Sequence, residues 1–153
     1  MRRLLVALLL LGSLSATFAS EAVSGRVVKV LPLLLDLEGR DTKSPSLYDR
    51  DAYQVYLRQH TNEISAVRFD VLWKASNANG LNLKLRVELR AVGVGGLPRQ
   101  TTLEQLVTPG VFRRWTSLPL GGADYKNFGH VVAWRATLWL DDQLLDEQKS
   151  FLW

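Results

Sequence analysis

Residues 81–90 alternate strictly between apolar and polar side chains, and this feature constrains the fold more than any other. Every odd position is leucine or valine, and every even position is polar or charged. Successive side chains of a β-strand point to opposite faces of its sheet. A strand of this composition has one buried and one hydrated face, which predicts an antiparallel sheet packed against a core on one side.

Further segments with the same character predict six more strands. They are separated by turn signals such as Asn79-Gly80, Pro109-Gly110 and Asp141-Asp142. Pro32 cannot donate to a sheet ladder, so the first strand is predicted at a sheet edge or broken into two short pieces. About seven short strands predict an all-β, immunoglobulin-like antiparallel β-sandwich. The other predicted strands cover residues 26–30, 67–74, 101–107, 111–118, 131–140 and 144–153.

One segment between the first two strands breaks the two-residue pattern. Ser46 is a suitable helix cap, and Asp49 follows three residues later. The next apolar and aromatic residues recur at helical spacing. We therefore predict one short inserted helix over residues 47–59, lying across an end or a face of a sheet. The residues expected on its packing face are Ala52, Tyr53, Tyr56, Leu57 and His60.

The N-terminal residues predict export. Two arginines follow Met1, residues 4–11 form an unbroken apolar run, and the small residues Thr17 and Ala19 occupy the positions that signal peptidase recognises. The alternative, an uncleaved membrane anchor, is disfavoured because glycine and serine dilute the apolar run beyond residue 11. We predict a Sec-type signal peptide over residues 1–19 and a single domain over residues 20–153. With no cysteine in the chain, the cut site cannot be an acylated lipoprotein site.

Charge and hydropathy limit the partners and the cellular compartments that can be expected for this protein. The chain has 19 basic and 15 acidic residues, and loss of Arg2 and Arg3 leaves 17 against 15, a net charge of +2. A nucleic-acid-binding protein carries a clustered basic stripe in its sequence, whereas these charges are scattered, so nucleic acid is not expected as a partner. Stable membrane insertion of the mature chain is not expected either. The protein is predicted to be bacterial and periplasmic or extracellular.

Catalytic, cofactor and metal motifs are absent from the sequence. It contains no Gly-x-Ser-x-Gly elbow, His-Glu-x-x-His pair, phosphate-binding loop or dinucleotide fingerprint. The two histidines, His60 and His130, lie far apart without a partner motif, so no metal site is predicted. We therefore predict a non-enzymatic protein without a cofactor. A small hydrolase using His130 and a nearby acid remains an alternative.

Five tryptophans supply the positive indication of a binding surface. The two-residue period assigns Trp73 and Trp134 to the core, and Trp153 is expected to close it. Trp139 falls on the face opposite Trp134, and Trp115 follows two arginines. An outward aromatic side chain can stack on sugars or anchor a protein partner. The alternative is that a second layer, such as the helix, covers these rings.

These patterns predict an exported, non-catalytic module that binds a protein or a cell-envelope component. Its contact surface is expected at a free sheet edge, where strand addition is possible, or at outward aromatic residues. A carbohydrate-binding module is the second hypothesis, with an envelope glycan stacked on exposed rings. The candidate binding residues are Trp115, Tyr125 and Trp139.

Overall fold

The computed structural model describes residues 21–153. The predicted signal peptide, residues 1–19, lies outside the described residues. Within them the chain forms seven β-strands and two short α-helices. In chain order these are β1 (Ser24–Asp36), α1 (Leu47–Gln59), β2 (Ile64–Ser76), β3 (Leu83–Val92), β4 (Pro98–Val107), β5 (Arg114–Gly121), α2 (Gly122–Phe128), β6 (His130–Leu140) and β7 (Gln143–Lys149).

The strands form two antiparallel sheets that enclose one core. The first sheet has the order β1-β2-β5, and the second has the order β4-β3-β6-β7. Side chains from the facing surfaces of both sheets bury one another, as in a sandwich. The predicted all-β, immunoglobulin-like class is therefore confirmed. The most deeply buried residues of the shared core include Phe69, Val71, Trp73, Leu83, Leu85, Val87, Leu89 and Leu138.

Strand β1 is an edge strand, and this position explains Pro32. The backbone N–H and C=O of Leu34 bond to the side chain of Gln54, on the side away from β2. Pro32 stands two residues earlier in an unbroken part of the register, so its missing N–H falls on the same outer side. The ladder with β2 therefore loses nothing to the proline, and β1 runs through it as one strand.

Helix α1 spans the residues predicted from the sequence, and its buried face agrees with the prediction at Leu57 but not at the tyrosines. Ser46 caps it by accepting a hydrogen bond from the Asp49 N–H. The buried residues are Gln54 and Leu57, not the tyrosines. The helix packs on β1, where it covers the outward-facing Leu33 and Leu35. It therefore covers the first sheet and not the outer face of the second sheet, which carries Trp139.

Several predicted boundaries and positions were wrong. Residues 122–128, which lie between two of the predicted strands, form helix α2, which buries Phe128 in the core. A β-bulge in β6 shifts the register between Val131 and Ala133, so Val132 is exposed, although strict alternation would place it on the buried face with Trp134. Strand β5 begins only at Arg114, because residues 108–113 cross from one sheet to the other.

The C-terminal residues lie outside the core. Strand β7 ends at Lys149, and Trp153 does not close the core as predicted. Its ring lies on the outer face of the second sheet, with the Arg90 guanidinium 4.0 Å and the Arg135 guanidinium 5.2 Å from the ring centroid. These cation–π contacts attach the end of the chain to the sheet. No helix within residues 21–153 is long and apolar enough to cross a bilayer.

Candidate functional site

The three aromatic residues predicted as a binding surface lie on three separate parts of the molecule. Trp115 is paired with Leu72 and lies on the outer face of the first sheet, near the start of β5. Trp139 lies on the outer face of the second sheet, where it pairs with Lys84. Tyr125 belongs to α2, at the other end of β5. They cannot form one stacking platform.

Trp139 is held in place by its neighbours. Its indole Nε1 donates a hydrogen bond of 2.8 Å to the Thr137 hydroxyl, and the Arg86 guanidinium lies 5.4 Å from the ring centroid. The ring is half-buried as a result. The cover comes from side chains of the same sheet and not from a second layer.

A cleft opens between the two sheets at the end that carries both helices. Its deep part has a volume of about 230 Å³ and lies between β1 and β2 on one side and β6 on the other. Phe69 and Trp134 meet edge to face across it, with ring centroids 6.4 Å apart. The apolar residues that line this space are Pro32, Leu34, Val67, Phe69, Val131, Val132 and Trp134.

The mouth of the cleft is wider, and both polar and apolar residues line it. It has a volume of about 530 Å³ and shares Leu34, Arg58, Tyr125 and His130 with the deep part, so the two spaces are continuous. We call the combined space the inter-sheet cleft. The remaining residues around the mouth are Thr61, Asn62, Ile64, Lys126 and Gly129.

The charged side chains that line the inter-sheet cleft are all positive. Arg58 and Lys126 carry positive charge at the mouth, and no carboxylate is among the described residues that line either space. None of the ion pairs within residues 21–153 involves Arg58 or Lys126. Burial raises the pKa of Tyr125, so its hydroxyl stays protonated and can donate a hydrogen bond. The mouth therefore favours an anionic group.

Arg58 reaches the mouth because Gln54 fixes its helix against β1. The Gln54 side chain accepts from the Leu34 N–H at 2.8 Å and donates to the carbonyls of Leu34 and Asp41 at 2.9 Å. Arg58 lies one turn further along α1, in its last turn, where a cation also interacts favourably with the helix dipole. Three backbone groups thus fix the helix that carries Arg58.

Tyr125 reaches the cleft from α2 and His130 from the start of β6, on either side of the turn at Gly129. Gly129 has a φ of 92°, and a Cβ there would lie 2.5 Å from the carbonyl oxygen of Val92. Only glycine fits this turn without strain. It ends α2 and starts β6 within one residue, which places Tyr125 and His130 at the same opening.

A buried carboxylate at the end of β1 also ties α1 to that strand. Asp36 accepts hydrogen bonds from the backbone N–H groups of Glu38 and Arg40, from the Arg40 guanidinium and from the Tyr53 hydroxyl. Burial alone raises the pKa of Asp36, but these donors outweigh it and lower the pKa from 3.8 to about 2. Burial and the hydrogen bond to Asp36 raise the pKa of Tyr53 to about 12.

Tyr53, Tyr56 and His60 form an aromatic row along α1. The sequence did not predict this row as a surface feature, because the helical spacing of the three residues predicted that they pack against the sheet. Tyr56 lies between Tyr53, 5.8 Å away between ring centroids, and His60, 4.0 Å away. The Lys43 ammonium lies 4.8 Å from the Tyr53 centroid. Because the rings cover one another, Tyr56 offers no free face to a sugar. The row stabilises the helix surface and supplies no stacking platform.

Catalytic and metal chemistry was also considered at His130. Its side chain is exposed at the mouth of the cleft, beside Tyr125 and Lys126 rather than beside an acid. Within residues 21–153 no group of three or more His, Asp or Glu side chains is placed to hold a metal ion.

Comparison with known proteins characterises the fold. No family model matches the chain, and no curated protein does. Among solved structures, a crystal structure from Akkermansia muciniphila has a TM-score of 0.53 and 9% sequence identity, covering 84% of this chain and 71% of that one. At this identity the likeness concerns the fold alone. The fold and the site define a β-sandwich protein with a cleft between its sheets.

Proposed function

We propose that this chain is an exported, non-catalytic binding module of the bacterial cell envelope, and that the inter-sheet cleft is its ligand site. The observation that carries the proposal is the combination of an apolar interior with a cationic mouth, lined by no acid of residues 21–153. Such a site takes a ligand that joins an apolar group to an anionic group. An acyl chain with a carboxylate has this chemistry, and so has an apolar chain terminus of a partner protein.

The size of the cleft limits the ligand. Sites for drug-sized molecules measure roughly 300–1,000 Å³, whereas the deep part measures about 230 Å³. It accommodates one apolar group, a short chain or a single side chain, and the anionic group remains at Arg58. Removing the apolar group from water supplies affinity, and the cation supplies selectivity.

A matched pair of dyes tests this proposal. Anilinonaphthalene sulfonate and N-phenylnaphthylamine share the same rings, but only the first carries an anionic group. We expect Arg58→Gln to weaken binding of the sulfonate about tenfold, the loss of one charged hydrogen bond, and to leave binding of the neutral dye unchanged. Fluorescence titration, with octanoate as a competitor, measures both affinities.

The control is Arg26→Gln, which removes an exposed arginine from the first sheet outside the cleft. It leaves both affinities at the wild-type value if the cleft is the site. Equal weakening of the sulfonate by the two substitutions would place the dye elsewhere and refute the proposal. Both variants should keep the wild-type Tm, because both side chains are exposed.

The alternatives receive less support from the geometry. A carbohydrate-binding module needs rings that present free faces together, and Trp115, Tyr125 and Trp139 lie apart. A hydrolase built on His130 needs an acid or another partner to orient the imidazole, and the lining of the cleft offers none among the described residues. Unchanged cleft-ligand binding in His130→Ala is expected if His130 only borders the mouth.

Export has its own test. Expression of the full chain in a bacterium should yield a secreted or periplasmic protein whose first residue is Ser20, because Thr17 and Ala19 form the recognition positions for cleavage. N-terminal sequencing and the mass of the exported protein measure this. Ala19→Leu should block cleavage and leave the precursor. Cytoplasmic protein that retains Met1 would contradict the prediction.

A further inference from the structure

The connection between β4 and β5 exposes its largest apolar side chains to solvent. Val111 and Phe112 are 93% and 83% exposed, and Trp115 just beyond them is 51% exposed. Leu106 is exposed shortly before the connection. Single exposed apolar residues are ordinary, but a contiguous exposed group marks an interaction site. We call Val111 and Phe112 the apolar tip.

Two arginines follow the apolar tip directly, while the β6–β7 turn with Asp141 and Asp142 lies at the same end of the second sheet. Residues 105–116 contain Arg113 and Arg114 and no acidic residue. The Arg114 guanidinium is held at the base of the connection, since a Cβ on Gly110 would lie 2.6 Å from its Nε. Arg113 is exposed immediately beside Phe112. The apolar tip is therefore followed directly by two positively charged side chains, Arg113 and Arg114.

The adjoining face of the first sheet continues this positive charge. Lys29, Leu72 and Trp115 form one cross-strand row on its outer side, and Arg26 pairs with Lys74 in the next outward row toward the tip. All three of these cations are exposed. Asp70 on this face is paired with Arg68 at 2.9 Å, and at the β1 edge Asp146 accepts a hydrogen bond of 2.8 Å from the Val27 N–H. We call Arg26, Lys29, Lys74 and Arg113 the basic face.

We infer that the apolar tip and the basic face bind the surface of an anionic lipid bilayer. Phe112 and Val111 enter the headgroup region, Trp115 lies at the interface that indole rings prefer, and the basic face meets the lipid phosphates. The contact is peripheral, because two side chains on a loop cannot cross the hydrocarbon core. Charge complementarity selects this occupant over a neutral apolar partner.

This surface is separate from the inter-sheet cleft. Strand β5 has the connection at its start and α2 at its end. Eight residues of extended strand span about 26 Å, so a ligand in the cleft and a bilayer at the tip do not compete. The inference does not rest on the proposed cleft function, and either can fail without the other.

Co-sedimentation with vesicles tests the inference. Vesicles of phosphatidylcholine with phosphatidylglycerol should retain the protein, and vesicles of phosphatidylcholine alone should not. Phe112→Ser should weaken retention about tenfold, the effect of withdrawing one buried aromatic side chain. Arg113→Gln should weaken it about fivefold, the effect of one charge near an anionic surface. Trp115 emission should shift to the blue on binding, and Trp115→Phe should remove the shift.

Matched controls separate this site from other exposed groups. Phe151→Ser removes a fully exposed phenylalanine near the C-terminus, and Arg99→Gln removes an exposed arginine of the second sheet. Both should bind vesicles like the wild-type protein. All variants carry the same N-terminal residues, so any contribution from residues 1–20 cancels. Equal retention of Phe112→Ser and Phe151→Ser, or equal retention by neutral and anionic vesicles, would overturn the inference.

Discussion

Replacing Trp73 with alanine is expected to lower the free energy of unfolding by about 4 kcal/mol. Trp73 is only 1% exposed and contacts the core that both sheets share. Its indole Nε1 donates a hydrogen bond of 2.9 Å to the Thr116 hydroxyl on β5. Alanine leaves a large cavity and an unpaired hydroxyl. Urea denaturation followed by circular dichroism measures the loss, because this signal does not depend on the tryptophan removed.

Two further variants identify the cause. Trp73→Phe keeps much of the ring volume and loses the hydrogen bond, so a smaller loss of about 2 kcal/mol is expected. Trp115→Ala removes a tryptophan that is half exposed, and it should change stability by less than about 1 kcal/mol. Equal losses in Trp73→Ala and Trp115→Ala would show that Trp73 does not anchor the core as its burial implies.

The buried position of Trp73 could be predicted because strand periodicity is a local property. Its neighbours Val71 and Phe69 share the same face at intervals of two residues, and all three are buried. The same reasoning identified the core leucines of β3. It did not identify the sheet neighbours, since the order of strands depends on contacts between distant parts of the chain.

For β6, the assignment of side chains to the buried and exposed faces was wrong at the point where a bulge interrupts their alternation. The bulge between Val131 and Ala133 reverses which side chains point inward, and Val132 becomes exposed. No residue in this segment signals the bulge, because valine, valine and alanine all suit either face. The packing of β6 against β3 determines the register at this point.

The packing face of α1 could also not be fully predicted from the sequence. Helical spacing selected Tyr53 and Tyr56 together with Leu57, whereas the structure buries Leu57 with Gln54. A glutamine is an unusual core residue, and it is buried here because the free edge of β1 offers the backbone groups of Leu34 as partners. This arrangement needs the edge strand and the helix together, and neither segment alone indicates it.

The candidate site was only partly predictable for the same reason. Tyr125 and His130 were singled out in the sequence for other roles, and Arg58 was not singled out at all. The structure brings them to one opening because α1 follows β1 while α2 precedes β6. A single arginine near the end of a helix has no distinctive sequence pattern, so its meaning comes from the apolar space beside it.

The two proposed surfaces give the molecule a consistent orientation. If the apolar tip lies on a bilayer, the inter-sheet cleft opens at the far end of β5 and faces the aqueous compartment. A ligand or partner terminus can then enter the cleft while the protein stays on the membrane. Addition of the sulfonate dye to vesicle-bound protein should therefore leave retention unchanged, and release of the protein would show that the surfaces are coupled.

Asp36→Asn is expected to lower the free energy of unfolding by about 3 kcal/mol at neutral pH, the cost of removing one partner from a buried charged network. The carboxylate is 5% exposed and receives four hydrogen bonds, two of them from backbone N–H groups. An amide of the same size lacks the charge and turns one acceptor into a donor, so partners are left unsatisfied in a buried place. Thermal and urea unfolding measure the loss. Asp49→Asn, an exposed acid in the first turn of α1, should cost less than about 1 kcal/mol.

The pH dependence of stability identifies the charge of Asp36 as the cause. Its pKa is lowered to about 2 in the folded chain and has its ordinary value of 3.8 when unfolded. Its contribution is therefore complete above about pH 4 and disappears as the pH falls toward 2, because the unfolded chain takes up the proton first. The wild-type protein should lose stability over this interval, and Asp36→Asn should lack this component. Tyr53→Phe, which removes one of the four donors, should narrow the interval from its lower end, since the pKa of Asp36 then lies closer to 3.8. An unchanged acid profile in Asp36→Asn would assign the acid sensitivity to other carboxylates.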